Sequence, residues 1–354
     1  MRPTLRATFM KRWILVPLLS ASLIPLLSPS AKADDLNARA AQIKSQLQTQ
    51  WLPTWSKTST ANELAGDAAL NLQTLSYAHR MGYTTPSLNL LEAASAHYKL
   101  LRDSRRDKAN DGFYSRSQDS KEPVKSTLLQ AQAVEALVEY ARASGEAEPR
   151  GLAVKIWRLI RDKGRDKIHG GYYDSIYSVQ ATPTSATAFG SKSALTHLAL
   201  LQAATGLYDL TRDRSIRTDL AELLDLNAGR FFSVRPEDRG WVYSWEWQLE
   251  QPSDAANPAV MAATPEAGAA IVRAQTVLEL PIGWVELARR TDFDSSNASS
   301  ATVSALIPLT KTTSNREGHA ARLDTILDSL KTSSAQVPVG NGIPLLDFVA
   351  AFEK

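Results

Sequence analysis

Apolar residues recur at i, i+3 and i+4 along most of this 354-residue chain, which is the period of a helix with one buried face. The pattern predicts helices over 35–51, 62–81, 88–101, 124–143, 151–161, 192–211, 214–226 and 266–280, with short closing helices at 319–331 and 343–352. Strand-like alternation stands out only over 241–247. Residues 292–318 are rich in Ser, Thr and Asn apart from an apolar stretch at 303–309, and read as a long loop or linker. The fold class is all-α.

The connections repeat. Asp107 opens a run ending Asp111-Gly112-Phe113-Tyr114, and Asp166 opens a run ending His169-Gly170-Gly171-Tyr172-Tyr173. A third, from Asp225, carries Gly229, Phe231 and Phe232. Each aspartate lies 59 residues after the one before. That spacing fits two helices plus a long loop, and a helix hairpin cannot bury its apolar faces alone, so neighbours must stack. Glycine permits the sharp reversal, and the aromatic after it anchors the loop.

The N-terminus reads separately. Arg2, Arg6, Lys11 and Arg12 precede an apolar run over 14–27 broken by Pro17 and Pro25, and Ala31-Lys32-Ala33 supplies a small-x-small cleavage pattern. Residues 1–33 are therefore expected to be an export signal cleaved after Ala33. The mature chain, 321 residues, would be periplasmic or secreted, with no membrane span left. The leader holds five basic residues and no acid, so its loss turns a net charge of +3 into −2. The basic balance that a nucleic-acid partner would need is then gone. With no cysteine there is no disulfide, thiol nucleophile or thiolate metal site, and no histidine pair has zinc spacing, so neither metal nor cofactor is expected. The expected layout is a helix-hairpin domain over 34–291, the linker over 292–318, and closing helices over 319–354.

Trp241, Tyr243, Trp245 and Trp247 alternate, so an extended strand would put all four rings on one face. With Asp238-Arg239-Gly240 as a turn and Phe231 and Phe232 beyond it, a β-hairpin is expected. The rings could stack on sugar C–H faces, or simply cover a core.

The run Lys192-Ser193, Thr196-His197-Leu198, Leu201-Gln202-Ala203, Thr205 and Leu207-Tyr208, with Asp213, Leu220, Glu222, Leu223 and Leu224 beyond it, resembles the signature of cellobiose 2-epimerases in the N-acylglucosamine 2-epimerase superfamily. The likeness covers about residues 65–280. It implies an (α/α)6-type barrel with a sugar site in its mouth and the β-hairpin beside it. The ten helices read from periodicity fall short of twelve, which leaves open a barrel lacking a hairpin. Family chemistry removes the C2 proton of a ring-opened sugar and returns it to the other face, which needs two acid/base groups.

Three of the family's catalytic positions differ here, and two of them, Ala199 and Ala263, read as alanine. The family's second histidine is Ala199, and the glutamate three residues later is Gln202; of the family's later Gly-His-Asp-Ile-Glu motif, Ala263 and Glu266 mark the alignment and only the glutamate survives. The arginine expected after Gln73 is missing too. The resemblance leaves His197 and Glu266 as candidate catalytic residues. Gln202, Lys192, Tyr173, Trp241, Tyr243, Trp245 and Trp247 are candidates for substrate binding. A single histidine on a helix is as well explained by packing, Glu266 by a helix start after Pro265, and Lys125 and Lys192 by solvation at helix starts. The favoured expectation is a degenerate barrel that binds a carbohydrate, or a protein partner, with weak or no epimerase activity. An active sugar 2-epimerase or isomerase, and a hydrolase or lyase using acids such as Asp111, Asp166 and Glu266, are the alternatives.

Overall fold

A computed structural model describes residues 31–57, 63–115, 124–177, 190–233, 240–252, 258–283, 287, 300–312, 316–332 and 342–353. Most of the expected leader, residues 1–30, lies outside the described residues. Among these residues, eleven helices of more than one turn run in the order α1 (Ala31–Gln46), α2 (Ala65–Arg80), α3 (Leu90–Leu100), α4 (Thr127–Ser144), α5 (Ala147–Leu159), α6 (Ala194–Thr211), α7 (Arg214–Leu226), α8 (Pro258–Val277), α9 (Ser300–Thr312), α10 (Arg316–Thr332) and α11 (Gly342–Phe352). Five short strands accompany them: β1 (Val124–Ser126), β2 (Ser175–Tyr177), β3 (Lys192–Ser193), β4 (Gly240–Tyr243) and β5 (Leu249–Pro252). Two antiparallel sheets result, β1–β2 and β3–β4–β5.

The helices form two layers. Helix α2 packs on α4, α4 on α6, α6 on α8, α8 on α9, α9 on α11 and α11 back on α2, so six inner helices close a ring. Helices α3, α5, α7, α10 and α1 pack outside it. This is an (α/α)6 barrel, and its inner ring is complete.

The sequence sorts the layers. Outer helix α7 buries Ile216, Leu220, Leu223 and Leu224, one stripe of a helix whose remaining faces are largely polar. Inner helix α6 buries residues all round, including Ala194, Ala199, Ala203, Ala204 and Leu207, and its small side chains allow close approach on both sides. Caps fix the ends: Ser126, Ser193 and Asp213 accept backbone N–H groups at the starts of α4, α6 and α7, and Gly145, with a φ of 73°, ends α4.

Three expectations are corrected. The expected linker contains inner helix α9, which buries Val303, Ala305, Leu306 and Leu309; its polar residues hid a period that packing completes. Glu266 stands in the third turn of α8, which begins at Pro258 and runs through Pro265, so a first-turn dipole role does not apply. Asp225 lies in the last turn of α7, so only two of the three proposed loops share one construction.

No described helix is long and apolar enough to cross a membrane. Nor do three or more His, Asp or Glu side chains among the described residues gather as a metal site.

Candidate functional site

The two matching loops are built alike. The Asp107 carboxylate accepts the backbone N–H groups of Ala109 and Asn110, each at 3.0 Å, and the Lys125 ammonium donates to it at 2.7 Å. The Asp166 carboxylate accepts from Ile168 (2.9 Å) and His169 (3.0 Å), and Lys192 donates at 2.8 Å. Burial opposes ionisation of Asp166, yet the lysine and these backbone donors outweigh it and hold its pKa at about 2. Lys192 also donates to the carbonyls of Gly170 and Trp245, at 2.7 and 2.8 Å, which occupies all three of its protons. It is fully buried, with Tyr173 and Trp247 rings over it. The geometry of Lys192 is that of a loop strut.

His197 joins the same framework. Its Nδ1 lies 2.9 Å from the Ser193 carbonyl, and its Nε2 accepts the Tyr172 backbone N–H at 3.1 Å. That pairing puts the ring proton on Nδ1 and leaves neither nitrogen to reach a ligand. The side chain is 0% exposed, and burial lowers its pKa to about 4, so the ring is neutral at pH 7.

The aromatic run does not form one strand. β4 ends at Tyr243 and the chain turns over 244–248 before β5, with Trp247 at a φ of 62°. The hairpin partner is β5, with β3 on the other side, rather than the Phe231–Phe232 segment. The four rings therefore do not share a face. Trp241 packs edge-on to Phe232, and Tyr243 packs edge-on to Phe231, both in the core. Trp247 closes over His197 and donates from its indole N–H to the His169 carbonyl at 2.8 Å. Gly171 must be glycine here: its φ is +74°, and a Cβ would meet the Trp247 ring at 2.6 Å. Trp245, 38% exposed and edge-on to His169, offers more of its ring to solvent than the other three.

The barrel axis carries a different cluster. Gln73, Glu135, Gln202 and Glu266 are each the ninth residue of an inner helix, counted from Ala65, Thr127, Ala194 and Pro258. Equal depth on neighbouring helices makes them one polar layer. The Gln202 amide donates to Glu266 at 2.8 Å, and the Gln73 side chain hydrogen-bonds Glu135. Burial pushes Glu135 up to about 7, with Arg273 opposing and Glu266 reinforcing the shift. Burial also raises Glu266, against its bond to Gln202 and the charge of Arg273.

Two turns further along the same helices stand Arg80, Arg142, Asp209 and Arg273, each the sixteenth residue. Arg80 bonds Glu139 at 2.6 Å, and Arg142 bonds Asp209 at 2.8 Å and the Gly206 carbonyl at 3.0 Å. Between the layers lies a cavity of about 270 Å³. Tyr77 lines it and hydrogen-bonds Asp347 of α11 behind it.

Two of the residues expected at the site, Gln202 and Glu266, thus meet in the interior. The others, His197, Lys192, Tyr173, Trp241, Tyr243, Trp245 and Trp247, gather at the opposite end, around the starts of the inner helices. Asp209 is sixteen residues past the Ser193 cap, about 24 Å along the axis at 1.5 Å per residue. Glu135, Arg273, Glu139 and Tyr77 were missed by sequence reasoning. A signal for Glu135 existed: a carboxylate on an otherwise buried inner helix, at the place Gln202 takes on the next one.

No protein-family model matches the sequence, and no curated protein matches it. Solved structures do, and they place the fold among (α/α)6 barrels of sugar enzymes. The chain is similar to the cellobiose 2-epimerase of Spirochaeta thermophila, with a TM-score of 0.74 and 18% identity over 92% of this chain and 99% of that one. It is similar to the cellobiose 2-epimerase of Bacillus thermoamylovorans, at 0.72 and 17% over 89% and 99%. A GH76 α-mannanase of Bacteroides thetaiotaomicron matches at 0.59 and 9%, over 92% and 98%. What is shared at such identities is the fold.

Proposed function

We propose that this chain is a carbohydrate-binding barrel that holds its ligand in the polar interior and does not carry out histidine-driven 2-epimerisation. One observation carries the reading: Gln73, Glu135 and Gln202 of the polar layer line a cavity, with Glu266 bonded behind Gln202, and their amides and carboxyl can exchange hydrogen bonds with hydroxyl groups. Of the two proton carriers that the family's reaction needs, only Glu266 stands available where the resemblance puts one. Ala199 and Ala263 have none, and His197 has both nitrogens committed to the backbone.

Titration calorimetry with reducing mono- and disaccharides tests this. Binding is expected, and Gln202→Ala and Glu135→Ala should each weaken it about tenfold, as loss of a hydrogen bond to a charged or buried group does. Sugar binding that ignores both substitutions would defeat the reading.

A second reading has its own support. Glu135 and Glu266 are two partly buried carboxyls of raised pKa in one layer, the raw material of glycoside hydrolysis. Release of reducing ends from a polysaccharide, lost in both Glu135→Gln and Glu266→Gln, would establish it.

We also propose export, with cleavage after Ala33. Mass spectrometry of the secreted or periplasmic chain should find a new N-terminus at Asp34, and retention of residues 1–33 would refute it.

A further inference from the structure

The outer end of the cavity is not chemically even. Three arginines line it, and their partners differ. Arg80 is spent on Glu139. Arg142 is spent on Asp209, the Gly206 carbonyl and a longer contact with Glu139. Arg273 lines the same cavity, yet among the described residues no carboxylate lies within ion-pair distance of it, and its side chain is exposed. It acts only through space, on Glu135, Glu266, Asp347 and Tyr77.

The charges around the cavity therefore pair off, two arginines with Glu139 and Asp209, and leave one guanidinium facing the void. Burial raises the pKa of the carboxyls nearest it, Glu135 and Asp347, against the pull of the Arg273 charge. A guanidinium presents a planar fork of donors that matches a carboxylate with two parallel bonds. Two turns deeper, the Gln73 and Gln202 amides line the same cavity and offer donors and acceptors to hydroxyl groups. A volume of about 270 Å³ sits at the small end of ligand pockets, which suits a single sugar unit rather than a chain.

We propose that Arg273 receives the carboxylate of an acidic monosaccharide unit, a uronic acid, whose hydroxyls are held by the Gln73, Glu135 and Gln202 layer. This rests on the carbohydrate reading above and adds the charge of the ligand and the residue that selects it. Arg273 is a specificity-determining residue, so its loss should cost affinity for the acid and leave affinity for the neutral sugar unchanged.

Calorimetric titration of the full chain with D-glucuronate, D-glucose and inorganic phosphate tests this, using wild type, Arg273→Gln and Arg273→Lys. The side chain is exposed, so both variants should melt like wild type. In wild type, glucuronate should bind at least tenfold more tightly than glucose. Arg273→Gln should abolish that difference by weakening glucuronate alone, and Arg273→Lys should keep part of it. Equal affinity for the two sugars, or glucuronate binding untouched by Arg273→Gln, overturns the uronate proposal and leaves the carbohydrate reading standing. Phosphate binding as tightly as glucuronate also overturns it, because the site would then read charge without the sugar. Binding of none of the three defeats both proposals.

Discussion

His197 does for the second hairpin loop what Gln130 does for the first. Each is the fourth residue of its inner helix, and each accepts the backbone N–H of the loop aromatic, Phe113 at 2.7 Å for Gln130 and Tyr172 at 3.1 Å for His197. The imidazole thus takes the place of an amide brace. His197→Gln should therefore fold and melt close to wild type, whereas His197→Ala should lose about 2–4 kcal/mol from an orphaned N–H and a cavity. Denaturant melts check both.

The same pair predicts a pH effect. The folded pKa of His197, about 4, lies below its unfolded value of 6.5, so the unfolded chain takes up its proton first. Stability from this residue is complete above pH 6.5 and declines as pH falls towards 4, by about 3 kcal/mol in full. His197→Gln should flatten that decline in urea melts between pH 4 and 7. An unchanged slope would contradict the neutral buried ring.

Glu135 works in the opposite direction. Its folded pKa, about 7, exceeds the unfolded 4.5, so its contribution is present below pH 4.5 and is lost as pH rises through 7. Glu135→Gln should be more stable than wild type at pH 8 by up to about 3 kcal/mol, less where water in the cavity screens the charge. At pH 4.5 the two should melt alike.

Lys192 and Asp166 form a buried pair with no slack. Lys192→Met leaves a carboxylate without its cation in a dry loop and should cost about 3–5 kcal/mol. If Lys192 bound ligand instead of bracing the loop, the substitution would lower affinity and spare the melt.

The hairpin rings should separate cleanly. Trp241→Ala empties core and should cost about 3–5 kcal/mol, whereas Trp245→Ala, on a half-exposed ring, should cost about 1 kcal/mol. Thermal melts of the two variants decide it.

Much of the fold was legible because an amphipathic period survives on outer helices such as α7, where one stripe is apolar. Inner helices are harder. In α9, the Ser, Thr and Asn residues on either side of the apolar stretch from Val303 to Leu309 looked like a linker, and in α8 Pro258 and Pro265 hid the first two turns. Family register led to Gln202 and Glu266, but Gln73 and Glu135 join them through the equal depth of four helices, which no local window contains. The Trp241–Trp247 alternation misled for a local reason: Trp247 adopts a positive φ that breaks the strand.

The most direct measurement is a saturation-transfer NMR experiment on reducing sugars in deuterium oxide, since one set of spectra reads both contact and C2 proton exchange. Saturation should pass from the protein to the sugar, fade in Gln202→Ala, and leave the C2 proton signal at full intensity over days. Steady loss of that signal with wild type, halted by His197→Gln, would contradict the account.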